Sequence, residues 1–379
     1  MYTRILKEGL SSSFFLFGPR GVGKSSWVKE RFPTAIYIDL LDSYFYTQLL
    51  ASPSRLSSMI PDGSSSWVVI DEVQRIPAIL DEVHRLIENR KLKFVLTGSS
   101  ARKLKKEGAN LLAGRALSYS MHPLTVGELG ADFSLSHSLR FGHLPKVYGE
   151  GKSYSGEFLK SYVSTYLREE VLQEGLARNI AAFARFLEAA SFSQGSVLNI
   201  SQVASDCSVN RKVVEDYFYI AEDLLIAKRL PVFCKRAKRK IVAHPKFYFF
   251  DVGVYRAIRP KGPLDLVEEI EGQALETLFY QELRALNDYL TLEYEIFYWR
   301  TQAKEEVDFV LYGERGIKAF EIKRSAHLRD EDFRGLKLLS EDYPMASTFM
   351  IYGGDREEKR YGIRIIPYEK ALRELGSLI

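Results

Sequence analysis

The stretch that most constrains this chain is FFLFGPRGVGKS, residues 14–25. Phe14 to Phe17 form a short apolar run, and Gly18 to Ser25 then follow the spacing G-x-x-x-x-G-K-S. A helical pattern comes next. A strand, a glycine-rich loop and a helix in that order turn backbone N–H groups and a helix N-terminus toward an anion. Lys24 then reaches the β- and γ-phosphates of a nucleotide, and Ser25 ligates Mg2+. The candidate nucleotide-binding set is Gly18, Pro19, Arg20, Gly21, Val22, Gly23, Lys24, Ser25 and Ser26.

A second motif supports the first. SWVVIDEVQR carries an apolar run from Trp67 to Ile70, ending in Asp71 and Glu72. An unbroken apolar run fits a central parallel strand covered on both faces. Carboxylates at its carboxyl end lie where open α/β sheets bind ligands. Asp71 is the expected Mg2+ partner, and Glu72 the group that polarises the attacking water. AIYIDL, KFVLTGSS and ALSYSM read as further strands, so the region is α/β with a parallel sheet. Thr97, Ser99 and Ser100 end one of them, and Ser99 is a candidate γ-phosphate sensor as well as a candidate helix cap. Arg115, in LLAGRA, is a candidate for reaching a neighbouring subunit's nucleotide.

These pieces resemble the AAA+ ATPases. More narrowly, GPRGVGKS, VVIDEVQ, LTGSSARKL, LAGR, HPLTVGE and FYFFDVGVYRA resemble a bacterial and archaeal family in which the AAA+ core is followed by a helix-turn-helix region and a nuclease-like domain. The resemblance spans most of the chain. It implies an ATPase that uses ATP and Mg2+, and a homo-oligomer, with a hexameric ring as one form.

Composition excludes little. Hydrophobic residues make up 46% and charged residues 27% of 379, an ordinary globular balance. The net charge of +4 is too small by itself to imply nucleic acid. Two distant cysteines exclude a disulfide framework and fit a reducing cytoplasm. No apolar run is long enough for a signal peptide or a membrane span. The arrangement of charge in the middle of the chain is more informative. Residues 199–233 read as helix, turn, helix, strand, with Ser201 as a cap and Arg211 and Lys212 in the first turn of the second helix. Basic residues there oppose the helix dipole unless a phosphate contact compensates. CKRAKRKIVAHPK follows, with Lys235, Arg236, Lys238, Arg239 and Lys240 in one short basic run. That pattern predicts a winged helix-turn-helix whose wing meets a DNA backbone.

In the last third, EGQALETLFYQELRALNDYL is an amphipathic helix with Leu275, Phe279, Leu283 and Leu286 on one face and Glu276 at its edge. EVDFVLY and IKAFEIKRS read as a hairpin. Alternation puts Val307, Phe309 and Leu311 on one face and Glu306, Asp308 and Val310 on the other. Glu321 and Lys323 share a face. The series Glu276, Asp308, Glu321-x-Lys323 resembles the PD-(D/E)xK nuclease fold. It implies a second divalent ion, Mg2+ or Mn2+, held by the acids, with Lys323 stabilising charge on a phosphodiester. Whether this domain cleaves stays open, since paired acids and lysines also serve packing.

The expected organisation is an AAA+ phosphate-loop ATPase domain over 1–140, a helical connector over 141–195, a winged helix-turn-helix over 196–262 and a small α/β nuclease-like domain over 263–379. The expected function couples ATP turnover to DNA processing. The alternatives are a nucleotide-dependent signalling switch with protein-binding accessory domains, and an ATP-gated metal-dependent nuclease.

Overall fold

A computed structural model describes residues 2–6, 11–63, 66–100, 104, 112, 114–148, 151–166, 179–235, 244–262 and 266–379. They divide into two compact units. One is Thr3–His122 with Asp223–Leu225; the other is Pro123–Glu222 with Ile226–Ile379, joined by Tyr2. No helix among the described residues is long and apolar enough to cross a membrane.

The first unit is built from β1 (Ser13–Phe17), α1 (Lys24–Arg31), β2 (Ile36–Asp39), α2 (Ser43–Ala51), β3 (Val68–Asp71), α3 (Ile79–Arg90), β4 (Phe94–Gly98) and β5 (Ala116–Ser120). The strands form one parallel sheet in the order β2-β3-β4-β1-β5. β1, β3 and β4 are buried along their whole length, which is why they read as unbroken apolar runs. β5, at an edge, is mostly exposed and less apolar. Phe15, Phe17, Ile70, Leu96 and Val83 belong to one core cluster. β4 lies between β1 and β3, so the phosphate loop after β1 and the acids after β3 flank the polar end of β4.

The second unit opens with α4 (Val126–Leu129), α5 (Leu135–Phe141), α6 (Gly151–Ser161), α7 (Ile180–Ser191), α8 (Ile200–Asp206) and α9 (Arg211–Asp223). Thr125 and Glu128 form a capping box at α4, which gives HPLTVGE its local role. Within the helical connector expected over 141–195, a π-helical turn spans Tyr162–Tyr166, and 167–178 lie outside the described residues. α8 is capped by Asn199, whose Oδ1 accepts from Gln202 N at 3.2 Å, not by Ser201. Asn199 has the extended backbone of an N-cap, while Ser201 already lies inside the helix. After α9 come β6 (Ala227–Leu230) and β7 (Lys246–Phe249), an antiparallel pair. Two helices and an antiparallel strand pair thus follow one another in the expected order. Arg236, Lys238, Arg239 and Lys240 lie outside the described residues.

The chain continues through α10 (Val252–Ile258), α11 (Val267–Tyr289), β8 (Glu295–Arg300), β9 (Glu306–Gly313), β10 (Gly316–Lys323), α12 (Arg334–Asp342), β11 (Ser347–Tyr352), β12 (Glu358–Arg360), β13 (Ile363–Pro367) and α13 (Tyr368–Leu378). The six strands form a mixed sheet in the order β12-β13-β11-β10-β9-β8. Leu275, Phe279 and Leu283 of α11 pack with Phe309 and Phe320 in one core cluster, and Leu286 is partly buried against it. The expected alternation along β9 fails at one point. Phe297 pairs with Val310, but Trp299 pairs with Val307, so β9 holds one extra residue there. This bulge puts Val307 in the cluster with Val310, separate from the cluster that holds Phe309 and Leu311.

Candidate nucleotide site and a paired acid cluster

The phosphate loop takes the conformation its glycines permit. Gly23 caps α1 with φ 98° and ψ 19°, a left-handed geometry that costs an L side chain energy. Lys24 is 6% exposed, and its ammonium donates to the carbonyls of Gly18 at 2.7 Å and Pro19 at 3.2 Å. Backbone carbonyls of the loop thus help to hold this cation. Val22 is buried, Ser25 half-buried and Ser26 exposed.

Across the polar end of the sheet, Asp71 is buried at 3% exposure. Tyr37 donates to its Oδ2 and Thr97 to its Oδ1. The Tyr37 hydroxyl also hydrogen-bonds Ser25, so one hydroxyl joins the two residues expected to hold Mg2+. Burial, and then the Asp71 contact, push the Tyr37 phenol far up, which keeps it a donor at neutral pH. Ser25 and Asp71 offer hard oxygen donors on either side of Tyr37, the donor chemistry that suits Mg2+.

Glu72 begins the turn after β3 with φ 62° and ψ 43°, left-handed for a residue with a Cβ. Its N–H donates to Thr97 Oγ1 at 3.3 Å. The Gln74 amide donates to Glu72 Oε2 at 2.6 Å and to Ser99 Oγ at 3.0 Å. Gln74 is 3% exposed and thus joins the expected water-polarising acid to the expected sensor. Sequence reading missed Tyr37 and Gln74. The available signals were AIYIDL as the strand beside Asp71, and DEVQ, which puts an amide two residues after Glu72.

Arg115 precedes β5, whose Ala116 is level with Ser13, the first residue of β1. The phosphate loop leaves the far end of β1. Arg115 therefore lies at the opposite end of these strands from its own loop, and it donates to Glu88, whose carboxyl it holds down.

The second unit contains a different assembly of charges. Lys246 on β7, at 1% exposure, reaches Glu306 Oε1 at 2.5 Å, Asp308 Oδ1 at 3.1 Å and Glu276 Oε2 at 3.9 Å. Tyr248 donates to Glu276 at 3.1 Å, and Arg300 pairs with Glu306 at 3.1 Å. Asp308 Oδ2 accepts the N–H of Ile322 at 2.9 Å, taking over from the backbone ladder beyond the Phe320–Phe309 pair. On β10, Lys323 donates to Glu321 Oε1 at 2.7 Å, while Glu321 Oε2 is buried without a partner.

Burial, and then Asp308, push Glu276 up to about 8 against the pull of Lys246. The same two causes push Glu321 well above the carboxylate range. Burial disfavours the Lys246 charge, but the surrounding groups outweigh it and hold the ammonium well above its ordinary value. Asp308 thus sits between two sets of partners, Lys246 with Glu276 and Glu306, and Glu321 with Lys323. The divalent site expected from Glu276, Asp308 and Glu321 is not assembled: no group of three or more acids, histidines or cysteines suited to a metal occurs among the described residues. The Lys246 ammonium lies among those acids instead. Nothing in the sequence flagged Lys246, which is 62 positions from Asp308.

Among the residues expected to meet DNA, Arg211 pairs with Glu215 at 3.0 Å and Lys212 is exposed. Lys235 is exposed, lies over the Tyr312 ring at 4.1 Å and pairs with Glu295.

Comparison with known proteins agrees with the first site. Residues 11–130 match the family model of an AAA domain. The remainder matches two domains of unknown function, DUF8612 over 133–265 and DUF4143 over 271–371. An uncharacterized protein of Mycobacterium tuberculosis is 26% identical over 348 residues, 90% of this chain and 76% of its own length. An uncharacterized protein of Methanocaldococcus jannaschii is 23% identical over 268 residues, 64% of this chain and 58% of its own length. Among solved structures, the Aeropyrum pernix ORC1 protein in complex with DNA aligns at 12% identity and a TM-score of 0.30, covering 65% of this chain and 86% of that one. A superposition that loose decides neither fold nor function.

Proposed function

We propose that the chain is an ATP-hydrolysing AAA protein that works on DNA. The observation that carries the hydrolytic part is the convergence of Ser25, Tyr37, Asp71 and Thr97 beside the Lys24 loop, with Glu72 held by Gln74. Loop N–H groups and Lys24 bind the β- and γ-phosphates. Ser25 and Asp71 hold Mg2+, which when bound neutralises charge on the phosphate oxygens. Glu72 orients and polarises the attacking water, and Gln74 fixes Glu72 relative to Ser99, which contacts the γ-phosphate. Arg115, remote from its own loop, acts across a subunit boundary in a homo-oligomer. The test is phosphate release with Mg2+ and ATP. Measurable turnover that Lys24→Ala abolishes supports the reading; no binding of ATP by the wild-type chain sinks it.

The DNA part rests on Arg211, Lys212 and the basic run from Lys235 to Lys240 after a helix-turn-helix. Each phosphate contact steepens the fall of log affinity with log salt by roughly 0.9. Lys238→Ala with Arg239→Ala is expected to flatten that slope, and an unchanged slope counts against the basic run. For the C-terminal domain, the Lys246 ammonium among the acids favours a binding module over a cleaving one. Metal-dependent cleavage of duplex DNA that Asp308→Ala removes would restore the nuclease reading.

A further inference from the structure

One basic cavity in the second unit has no place in this account. It measures about 580 Å3 and lies between α5, α6 and α10. Its wall carries Arg140, Lys160, Arg256, Arg259 and Lys261 against a single acid among the described lining residues, Glu157. The Lys246 cluster, by contrast, matches its cations with carboxylates.

The frame around this cavity is built, not incidental. Asp251 is fully buried and caps α10, with Oδ1 accepting Val254 N at 3.0 Å. Its Oδ2 accepts His143 N at 2.8 Å, which ties the end of α5 to the start of α10. Gly253 lets the two helices touch: a Cβ there would lie 2.0 Å from the Phe141 carbonyl oxygen. The DVG of FYFFDVGVYRA therefore fixes where α10 presents Arg256. Arg256 Nη1 donates to Leu139 O at 3.2 Å, while its Nε is buried without a hydrogen-bond partner. The Arg259 guanidinium lies 4.5 Å from the centre of the Phe192 ring, a second planar cation held in place.

We propose that this cavity binds an anion carrying two or more phosphate groups. Like charges gathered around one concavity repel, and an anion converts that repulsion into attraction. The charges feel each other: burial, then Arg256, Arg140 and Lys160, push the Lys261 ammonium down. Burial also pushes Arg256 down, with Arg140 adding to it and Tyr255 and Glu271 opposing. Guanidinium groups fit phosphate oxygens in pairs, and the volume lies within the range of small-molecule pockets. The phosphates come either from a free oligophosphate or nucleotide, or from the backbone of a nucleic acid.

The experiment uses the full chain carrying Lys24→Ala, so that the phosphate loop is silenced. Calorimetric titration with inorganic tripolyphosphate is expected to show binding, weakened at least tenfold when Arg140→Ser and Lys261→Ser are added. Arg140 is exposed and Lys261 only partly desolvated, so the fold is expected to be kept, which circular dichroism checks. Without ligand, this variant is also expected to melt at a higher temperature, because repulsion is relieved. No binding in the Lys24→Ala chain, or the same affinity with and without the two serines, overturns the site. A labelled 20-base-pair duplex then separates the sources. DNA affinity that falls together with tripolyphosphate affinity assigns the cavity to backbone phosphates. Lost tripolyphosphate binding with intact DNA binding assigns it to a free oligophosphate.

Discussion

Lys24 and Lys246 are both buried lysines in polar surroundings, and they are held in opposite ways. Lys24 rests on two neutral carbonyls of its own loop. Lys246 is surrounded by Glu306, Asp308 and Glu276. The contacts to the Gly18 and Pro19 carbonyls keep the Lys24 ammonium at the loop where a phosphate is expected. Glu306 and Asp308 balance the charge of Lys246, and moving it would leave them without this partner in a buried site. One lysine is held by the backbone of its own loop, and the other by acids from a helix and a strand distant in sequence. A resemblance at the level of motifs puts acids and lysines in both places; burial and pairing tell them apart.

The comparison is broken most directly at Lys24. Lys24→Ala is expected to reduce steady-state ATP turnover at least 100-fold and to weaken nucleotide binding, measured by phosphate release and by titration with a fluorescent nucleotide. Turnover within a factor of two of wild type would put the phosphate site elsewhere. Next in size is Lys246→Met, which removes the cation and keeps much of its bulk. Breaking a buried ion pair from one side costs about 3–5 kcal/mol, read by urea unfolding at pH 8. An effect under about 1 kcal/mol would mean that the acids are not held by this lysine.

The acids allow a sharper test through pH. Glu276 has its carboxyl raised to about 8 in the folded chain from an ordinary 4.5. The folded state therefore keeps a proton that the unfolded state releases between those values. Its contribution is present below about 4.5 and lost as pH rises toward 8. About a fifth of the Glu276 side chain remains exposed, which limits the effect to ~2 kcal/mol or less. Glu276→Gln is expected to flatten the decline of stability from pH 5 to pH 8, measured as the urea midpoint at each pH. A decline as steep in the variant would move the titration to another group.

The smallest expected effect concerns Arg115. Arg115→Ala is expected to lower turnover by up to about tenfold and spare nucleotide binding. Mixing it with Lys24→Ala protein is expected to restore part of the activity, because some boundaries then pair an intact site with an intact arginine. No recovery on mixing would confine Arg115 to its ion pair with Glu88.

The candidate nucleotide site was legible because its parts are local. Gly18 to Ser25 are consecutive, and Asp71 and Glu72 end one apolar strand, so spacing and burial alone place them. Tyr37 and Gln74 escaped because their roles depend on sheet order and on the turn that Glu72 makes. The C-terminal cluster escaped for a different reason. The bulge in β9 breaks the two-residue period on which the assignment of faces depends, and Lys246 comes from a strand far away in sequence. The basic cavity was invisible for the same reason, since Arg140, Lys160 and Arg256 meet only once α5, α6 and α10 have packed.

The account's central claim is that the Lys24 constellation performs the chemistry through Glu72. Single-turnover release of phosphate from bound ATP, compared between wild type and Glu72→Gln, tests it most directly. The variant keeps the shape of the side chain and the Asp71 carboxylate, so ATP is expected to bind with affinity within about threefold of wild type. Release is expected to slow by about 100-fold or more, the scale of a lost general base. Equal release rates in the two proteins would contradict the claim.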